Sequence, residues 1–384
     1  MTGALLPGAC LGVLGGGQLG RMFALAARRM GYRVGVLAPG SDNPAGQVAD
    51  LVVDATYDDL AAVESFARQV DVLTFEFENV SAAAVEAAAR HIPVRPAGSF
   101  LHLTQDRARE KEGLRALGLP TAPFRVIREA ADLDGAATSI GFPAILKTSS
   151  WGYDGLGQRR VEDAVGLAAA WEELDRLPCV LEGLVPFVEE LSVVGARGVD
   201  GDLALYEPVL NRHERHILDL ALCPAPVPAA TLDAARDIAR AILEAHEVVG
   251  VLCVELFLLA DGSLVVNEIA PRPHNSGHLT IDAHACSQFE QQVRAVCGLP
   301  LGSTERRAPA AAMANLLGDL WAAGTPDWAA VFASPGVALH LYGKADARRG
   351  RKMGHLTVVD QDLVGAERRA LAARAALTPV HEEA

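Results

Sequence analysis

The chain has 384 residues, half of them hydrophobic, with 34 Lys and Arg against 48 Asp and Glu and a formal net charge of −14. That length exceeds one ordinary hydrophobic core and calls for two or three domains. The acidic balance argues against a nucleic-acid-coating surface while leaving room for a small anion in a local basic pocket, and no uncharged run reaches membrane-spanning length.

Six cysteines (Cys10, Cys179, Cys223, Cys253, Cys286, Cys297) show no CxxC spacing, as expected of reduced, buried thiols in a cytoplasmic enzyme rather than a disulfide frame or zinc site. The apolar start, residues 4–14, lacks a basic flank and runs into a glycine loop, so it reads as a first strand and not a signal peptide.

Strands are expected over 9–14, 32–37 and 70–77, with helices over 21–30 and near 60–68. That alternation implies a doubly wound parallel sheet with ligands at the carboxyl ends of its strands. Gly15, Gly17 and Gly20 satisfy GxGxxG, a motif weak on its own. No acid ends the second strand to take a dinucleotide ribose, and Asp42 lies past a proline in a loop. The loop suits some phosphate or other anion at a helix N-terminus, or is a tight turn without a ligand. Phe75-Glu76-Phe77-Glu78-Asn79 ends another strand, its glutamates either solvated or accepting from a ribose or amine.

A helix near 105–117 follows, and beyond residue 124 the strands read as more antiparallel. Ile145-Leu146-Lys147 is an apolar strand ending in lysine before a glycine-rich loop, 151–157, either well placed for nucleotide phosphates, although not a Walker loop, or a simple hairpin loop. Asn211-Arg212-His213-Glu214-Arg215-His216 is a polar run between apolar strands and faces a cleft.

Residues 251–259 and 264–269 read as a hairpin around Asp261-Gly262. With these as a two-residue turn, partner numbers sum to 523 and Glu255 faces Glu268. Facing like charges destabilise a sheet unless a cation such as Mg²⁺ takes both carboxylates with substrate phosphates; a longer turn would slip the register and separate them. Pro271-Arg272-Pro273-His274-Asn275-Ser276 then gathers oxyanion-binding groups, with zinc on His274 and His278 a distant second. Lys344, Arg348, Arg349, Arg351 and Lys352 form a basic cluster, either a solvated hairpin tip or a phosphate site. The tail holds short strands, 337–341 and 355–358, and a final Ala/Arg helix.

Together these segments resemble the ATP-grasp superfamily and, within it, the N5-carboxyaminoimidazole ribonucleotide synthases of purine biosynthesis. The carriers are Gly16–Met22, Phe75–Val80, Gln105–Arg107, Gly152–Gly157, Asn267–His278, Lys344 and Gly350–His355. Trp151 stands where a glycine often precedes the Gly-Tyr-Asp run, and Glu182-Gly183-Leu184-Val185 is a loose adenine hinge. The resemblance implies an ATP-grasp fold in three parts: a Rossmann-like domain (1–104), an ATP-grasp domain (105–305, lid about 124–186) and a small β-rich domain (306–384). It implies ATP at Arg107, Lys147, Gly152, Tyr153, Asp154, Gly155, Gly157, Glu182, Val185, Glu190, His213 and Asn267, and Mg²⁺ on Glu255 and Glu268. Bicarbonate would sit at Arg272, His274 and Asn275, which with Lys147 form the expected catalytic set. Aminoimidazole ribonucleotide would lie on Gln18, Glu76 and Tyr153 with its phosphate on Lys344 and Arg351. It further implies carboxyphosphate chemistry under a closing lid, a homodimer, and onward passage of product to N5-carboxyaminoimidazole ribonucleotide mutase.

Three rivals remain at this stage. A formate-dependent glycinamide ribonucleotide transformylase type of ATP-grasp ligase would share the ATP and Mg²⁺ residues and differ in its acceptor pocket. A dehydrogenase draws only on the glycine loop. A nucleotide sensor would not need both Glu255 and Glu268.

Overall fold

The computed structural model describes residues 3–150 and 157–377. The loop residues Trp151, Gly152, Tyr153, Asp154 and Gly155 lie outside the described residues. Strands β1 (Cys10–Leu14), β2 (Arg33–Leu37), β3 (Leu51–Val53) and β4 (Val72–Phe75) form a parallel sheet in the order β3-β2-β1-β4. Every residue of β1 and β4 is buried, as expected of strands covered on both faces. β3 has no counterpart among the expected strands; three residues are too few to show a period. Helix α1 (Gln18–Arg29) buries Met22, Phe23, Ala24 and Ala27. Asp59 and Ser81 cap α2 (Leu60–Ala67) and α3 (Ala82–Ala89) by accepting from Ala62 N–H and Ala84 N–H. The chain order reverses between β1 and β4, so the crevice of this sheet lies where Leu14 and Phe75 end side by side.

The expected helix near 105–117 is α5 (Arg107–Ala116), and a shorter helix with no expected counterpart, α4 (Gly98–Thr104), precedes it. Asp106 separates them, its β-region backbone and Arg109 N–H contact forming the cap of α5. Next comes a four-stranded antiparallel sheet of β5 (Phe124–Ile127), β6 (Ala144–Thr148), β7 (Gln158–Val161) and β8 (Cys179–Gly183), ordered β5-β8-β6-β7.

The largest sheet has nine strands. β9 (Phe187–Arg197), β10 (Leu203–Leu205), β11 (Val209–Glu214), β12 (Ile217–Cys223), β13 (Gly250–Leu259) and β14 (Leu264–Ala270) are joined by β15 (Ala310–Leu317), β16 (Val337–Leu341) and β17 (Lys352–Asp360). β12 pairs with β15, so the tail strands extend the central sheet. The helix Ala229–Ala245 buries Ala235, Ile238, Ala239, Ile242 and Leu243 in the main core. No helix among the described residues is long and apolar enough to cross a membrane, and all six cysteines are buried and free.

Candidate active site

The β13–β14 hairpin brings the two glutamates together by a route the sequence did not predict. Leu259 N–H donates to Ser263 O at 2.9 Å, so the loop is Ala260-Asp261-Gly262, three residues rather than two. Gly262 takes the left-handed conformation (φ 86°) that such a loop requires. Up to Leu256↔Val266 partner numbers are therefore one lower than expected. A β-bulge then inserts Asn267, and beyond it Glu255 pairs with Glu268 and Cys253 with Ala270. The slipped register is real near the turn, and the bulge reverses it before the glutamates.

Both carboxylates line a cleft of about 710 Å³ between the largest sheet and the β5–β8 sheet. Crowding by protein pushes Glu268 above the usual carboxylate range against the pull of Arg107, and the like charges of Glu255 and Glu78 add to that push. Burial would raise Glu255 too, but His274, with Nε2 2.9 Å from Oε1, holds it down at about 2. Burial opposes the imidazolium form of His274, yet Cys253 and Glu255 lift it to about 10. Facing carboxylates beside the Asn267 amide make a hard-oxygen donor set that fits a divalent cation, and the repulsion lifting Glu268 is what such an ion would relieve.

Around this pair the cleft is lined by Arg107, Lys147, Glu182, Val185, Glu190, His213, Asn267, Arg272, His274 and Asn275. Lys147 projects from β6 and contacts Glu182 Oε2 at 3.0 Å; Lys111 contacts the other oxygen at 3.2 Å. Glu182 is buried, which disfavours its charge, but the two lysines outweigh this and hold its carboxyl down. Arg107 is tied to the end of β6, its N–H donating to Ser149 O at 2.8 Å and Nη1 to Thr148 O at 2.9 Å. His213 Nδ1 lies 3.3 Å from Glu190 Oε1, and Phe187 stacks on Phe257 with centroids 4.5 Å apart at the same end of the cleft.

Arg272 forms an ion pair with Glu78, while its buried Nε has no hydrogen-bond partner among the described residues. Asn275 and Asn315 exchange amide hydrogen bonds at 2.7 and 3.0 Å. The two histidines of the zinc alternative are engaged with different partners: His274 with Glu255 and Ser276, buried His278 with Gln288. Among the described residues Asp282, His340 and His355 bring three ligand atoms within 4.8 Å of one another. The two imidazoles are stacked with 13° between their planes, so their in-plane lone pairs run side by side and do not converge on an ion.

A second cluster sits at the crevice of the parallel sheet. The anion held by the glycine loop is the protein's own: Glu76 accepts from Gly17 N–H and, at 2.7 Å, from Gly20 N–H. A Cβ on Gly15 would fall 2.2 Å from Glu76 Cγ, so the GxGxxG spacing makes room for a side chain and not a dinucleotide. Gln18 opens α1 beside it. Lys344 approaches from the tail: burial lowers its ammonium to about 8, Arg351 pushes the same way and Glu76 opposes. Arg351 pairs with Asp42 at 2.8 Å, and Ala345 N–H donates to the same carboxylate at 3.1 Å. The loop acid that fails as a ribose ligand thus anchors the basic tail hairpin. Arg348 and Arg349 pair instead with exposed Asp346 and Asp319.

Sequence reasoning passed over several cleft residues. Glu78 was visible in its motif without an assigned partner; Phe257 and Lys352, both cleft-lining, were absorbed into a strand and a basic run. Behind the cleft wall, Lys111 and Glu110 are buried charges in a helix, and their i,i+1 spacing carries no signal. Glu110 accepts from Ile269 N–H at 3.2 Å. Burial and nearby Glu268 lift it to about 8 despite Lys111.

Three family models match in chain order: a ribonucleotide synthetase preATP-grasp domain over residues 9–105, an ATP-grasp domain over 112–289 and a phosphoribosylaminoimidazole carboxylase C-terminal domain over 311–369. The N5-carboxyaminoimidazole ribonucleotide synthase of Brucella melitensis is 43% identical over 356 residues, covering 92% of this chain and 97% of that protein. The bifunctional purine synthesis protein purC/E of Dictyostelium discoideum is 41% identical over 92% of this chain, which spans only 37% of that larger protein. Among solved structures, the ADP complex of an N5-carboxyaminoimidazole ribonucleotide synthetase superposes with a TM-score of 0.91 at 38% identity, covering 97% of this chain and 98% of its own. The Aspergillus clavatus synthase with ADP and 5-aminoimidazole ribonucleotide gives 0.89 at 33% identity, covering 97% and 99%.

Proposed function

The chain belongs to the N5-carboxyaminoimidazole ribonucleotide synthase family of ATP-grasp ligases and carries out ATP-dependent carboxylation of aminoimidazole ribonucleotide in purine biosynthesis, and we propose how its cleft does so. The observation that carries this reading is the facing Glu255–Glu268 pair in the same cleft as Lys147, Arg107, Arg272 and His274. ATP lies along the cleft with its adenine toward Val185, its ribose at Glu190 and His213, and its phosphates at Lys147, Arg107, Asn267 and the 152–157 loop. Glu255 and Glu268 would hold Mg²⁺, and a bound ion would supply neutralisation of phosphate charge.

Arg272 and His274, with Asn275 beside them, bind bicarbonate. Bicarbonate is a poor electrophile; attack of its oxygen on the terminal phosphorus makes carboxyphosphate and releases ADP. The amine of aminoimidazole ribonucleotide then bonds to the carboxyl carbon as the bond from that carbon to the phosphate oxygen breaks, and the departing phosphate takes up the proton the amine loses. No covalent enzyme nucleophile is needed, so the work of the side chains is positioning and charge neutralisation. The ribonucleotide lies at the second cluster, its phosphate on Lys344 and Arg351, with Gln18, Glu76 and Tyr153 along the sugar and ring. Glu76, held by the glycine loop, presents its carboxylate at a fixed place. The lid, the domain limits at 104/105 and 305/306, a homodimer and passage of the product to a mutase belong to the same reading and rest on family membership. Mixing the protein with ATP, bicarbonate and aminoimidazole ribonucleotide should release ADP much faster than the same mixture without the ribonucleotide, and no such dependence would refute the reading. Glu268→Ala should abolish that release with the thermal melt unchanged. A variant turning over at a near-normal rate would refute the metal assignment.

A further inference from the structure

Lys111 lies one helical turn beyond Arg107 on α5. Its side chain is 1% exposed, sealed from the cleft, whereas that of Lys147 is 12% exposed and lines it. Between them the Glu182 side chain, 5% exposed, gives one oxygen to each, Lys111 at 3.2 Å and Lys147 at 3.0 Å. Lys111 Nζ also donates to Thr121 Oγ1 at 3.3 Å. One carboxylate shared by two ammonium groups leaves a single net positive charge, and only Lys147 faces the cleft.

A lysine paired one-to-one with a buried carboxylate makes a neutral unit, a poor partner for polyphosphate. The second lysine, placed behind the carboxylate, changes this. We propose that Lys111 is a positioning residue for the phosphate step: by neutralising Glu182 from within the core it leaves the charge of Lys147 available to ATP and fixes its ammonium at the cleft wall. This rests on the reading of Lys147 as a phosphate ligand. The three groups come from α5, β8 and β6, so the geometry is set by packing of the helix on the small sheet. The preceding residue, Glu110, braces Ile269 N–H beside Glu268, so one helix supports both the phosphate side and the carboxylate side of the cleft.

The test compares Lys111→Met, Lys111→Arg, Lys111→Met/Glu182→Gln and Lys147→Met by calorimetric ADP affinity, KM for each substrate, and thermal melting. Lys111→Met should weaken ADP binding and raise KM for ATP roughly tenfold, with KM for the ribonucleotide within about twofold of the parent. The double variant, in which one lysine faces a neutral amide, should recover most of the lost affinity, and Lys111→Arg should retain it. If Lys111→Met melts too early to assay, the double variant and Lys111→Arg carry the test, because both keep the net charge. Normal ADP affinity in folded Lys111→Met, or a double variant with ADP affinity no better than about tenfold below the parent, would overturn the inference. Unchanged affinity in Lys147→Met would instead overturn the phosphate role of Lys147 on which it rests.

Discussion

Single side chains in this protein derive their charge state from partners that sequence spacing does not show. Lys344 was legible as part of a basic run, but not as the member that burial and Arg351 bring down to about 8, beside Glu76. An amine lowered from its ordinary 10.5 is charged below pH 8 and neutral above it, so its attraction for a phosphate dianion is lost as pH rises. The expected outcome is a fall in kcat/KM for aminoimidazole ribonucleotide above about pH 8, approaching tenfold per pH unit, that KM for ATP does not share. Lys344→Arg, charged throughout that range, should move the limb to higher pH; the same limb in both proteins would assign it elsewhere. Arg351 could be placed in the same cluster from sequence, but its partner Asp42 lies 309 residues away.

Elements were more legible than the details of their joins. Parallel strands, the apolar strand ending at Lys147 and the 251–269 hairpin all follow from hydrophobic pattern and turn residues. The join at the hairpin did not. Asp-Gly is a strong two-residue turn signal, yet it occupies a three-residue loop here, and the compensating bulge at Asn267 has no mark of its own in the sequence. The facing glutamates were therefore expected correctly through an incorrect turn. The loop and bulge act as a matched pair of offsets, so strain at the tip is separable from chemistry at the cleft. A Cβ at Gly262 meets nothing within 4 Å, leaving only its φ of 86° to resist substitution. Gly262→Ala should cost about 1 kcal/mol in urea unfolding with kcat unchanged. A parallel loss of kcat would mean that the turn controls the glutamates' register directly. The glycine loop teaches the reverse lesson: its motif and setting were plain, but its ligand, Glu76, sits 56 residues beyond Gly20.

At the scale of the molecule, sequence reading separated a tail from the central part, and the tail strands prove continuous with the nine-stranded sheet through β12 and β15. Antiparallel pairing across a sequence gap of nearly a hundred residues leaves no local pattern to read. That continuity carries Lys344, Arg351 and Lys352 back toward the sheet edge where Glu76 lies, while Asp42 fastens the tail hairpin to the parallel domain. Two clusters, one proposed here for polyphosphate with bicarbonate and the other for a ribonucleotide, are thus held against each other by one framework, with Arg272 and Glu78 between them. The arrangement suits the making of an unstable carboxyl donor in one place and its use next door before water intervenes. The most direct test supplies bicarbonate labelled with ¹⁸O in a single turnover and follows the label into inorganic phosphate. Attack of a bicarbonate oxygen on ATP requires one ¹⁸O in each phosphate released alongside N5-carboxyaminoimidazole ribonucleotide. Product formed with unlabelled phosphate would contradict carboxyphosphate formation in this cleft.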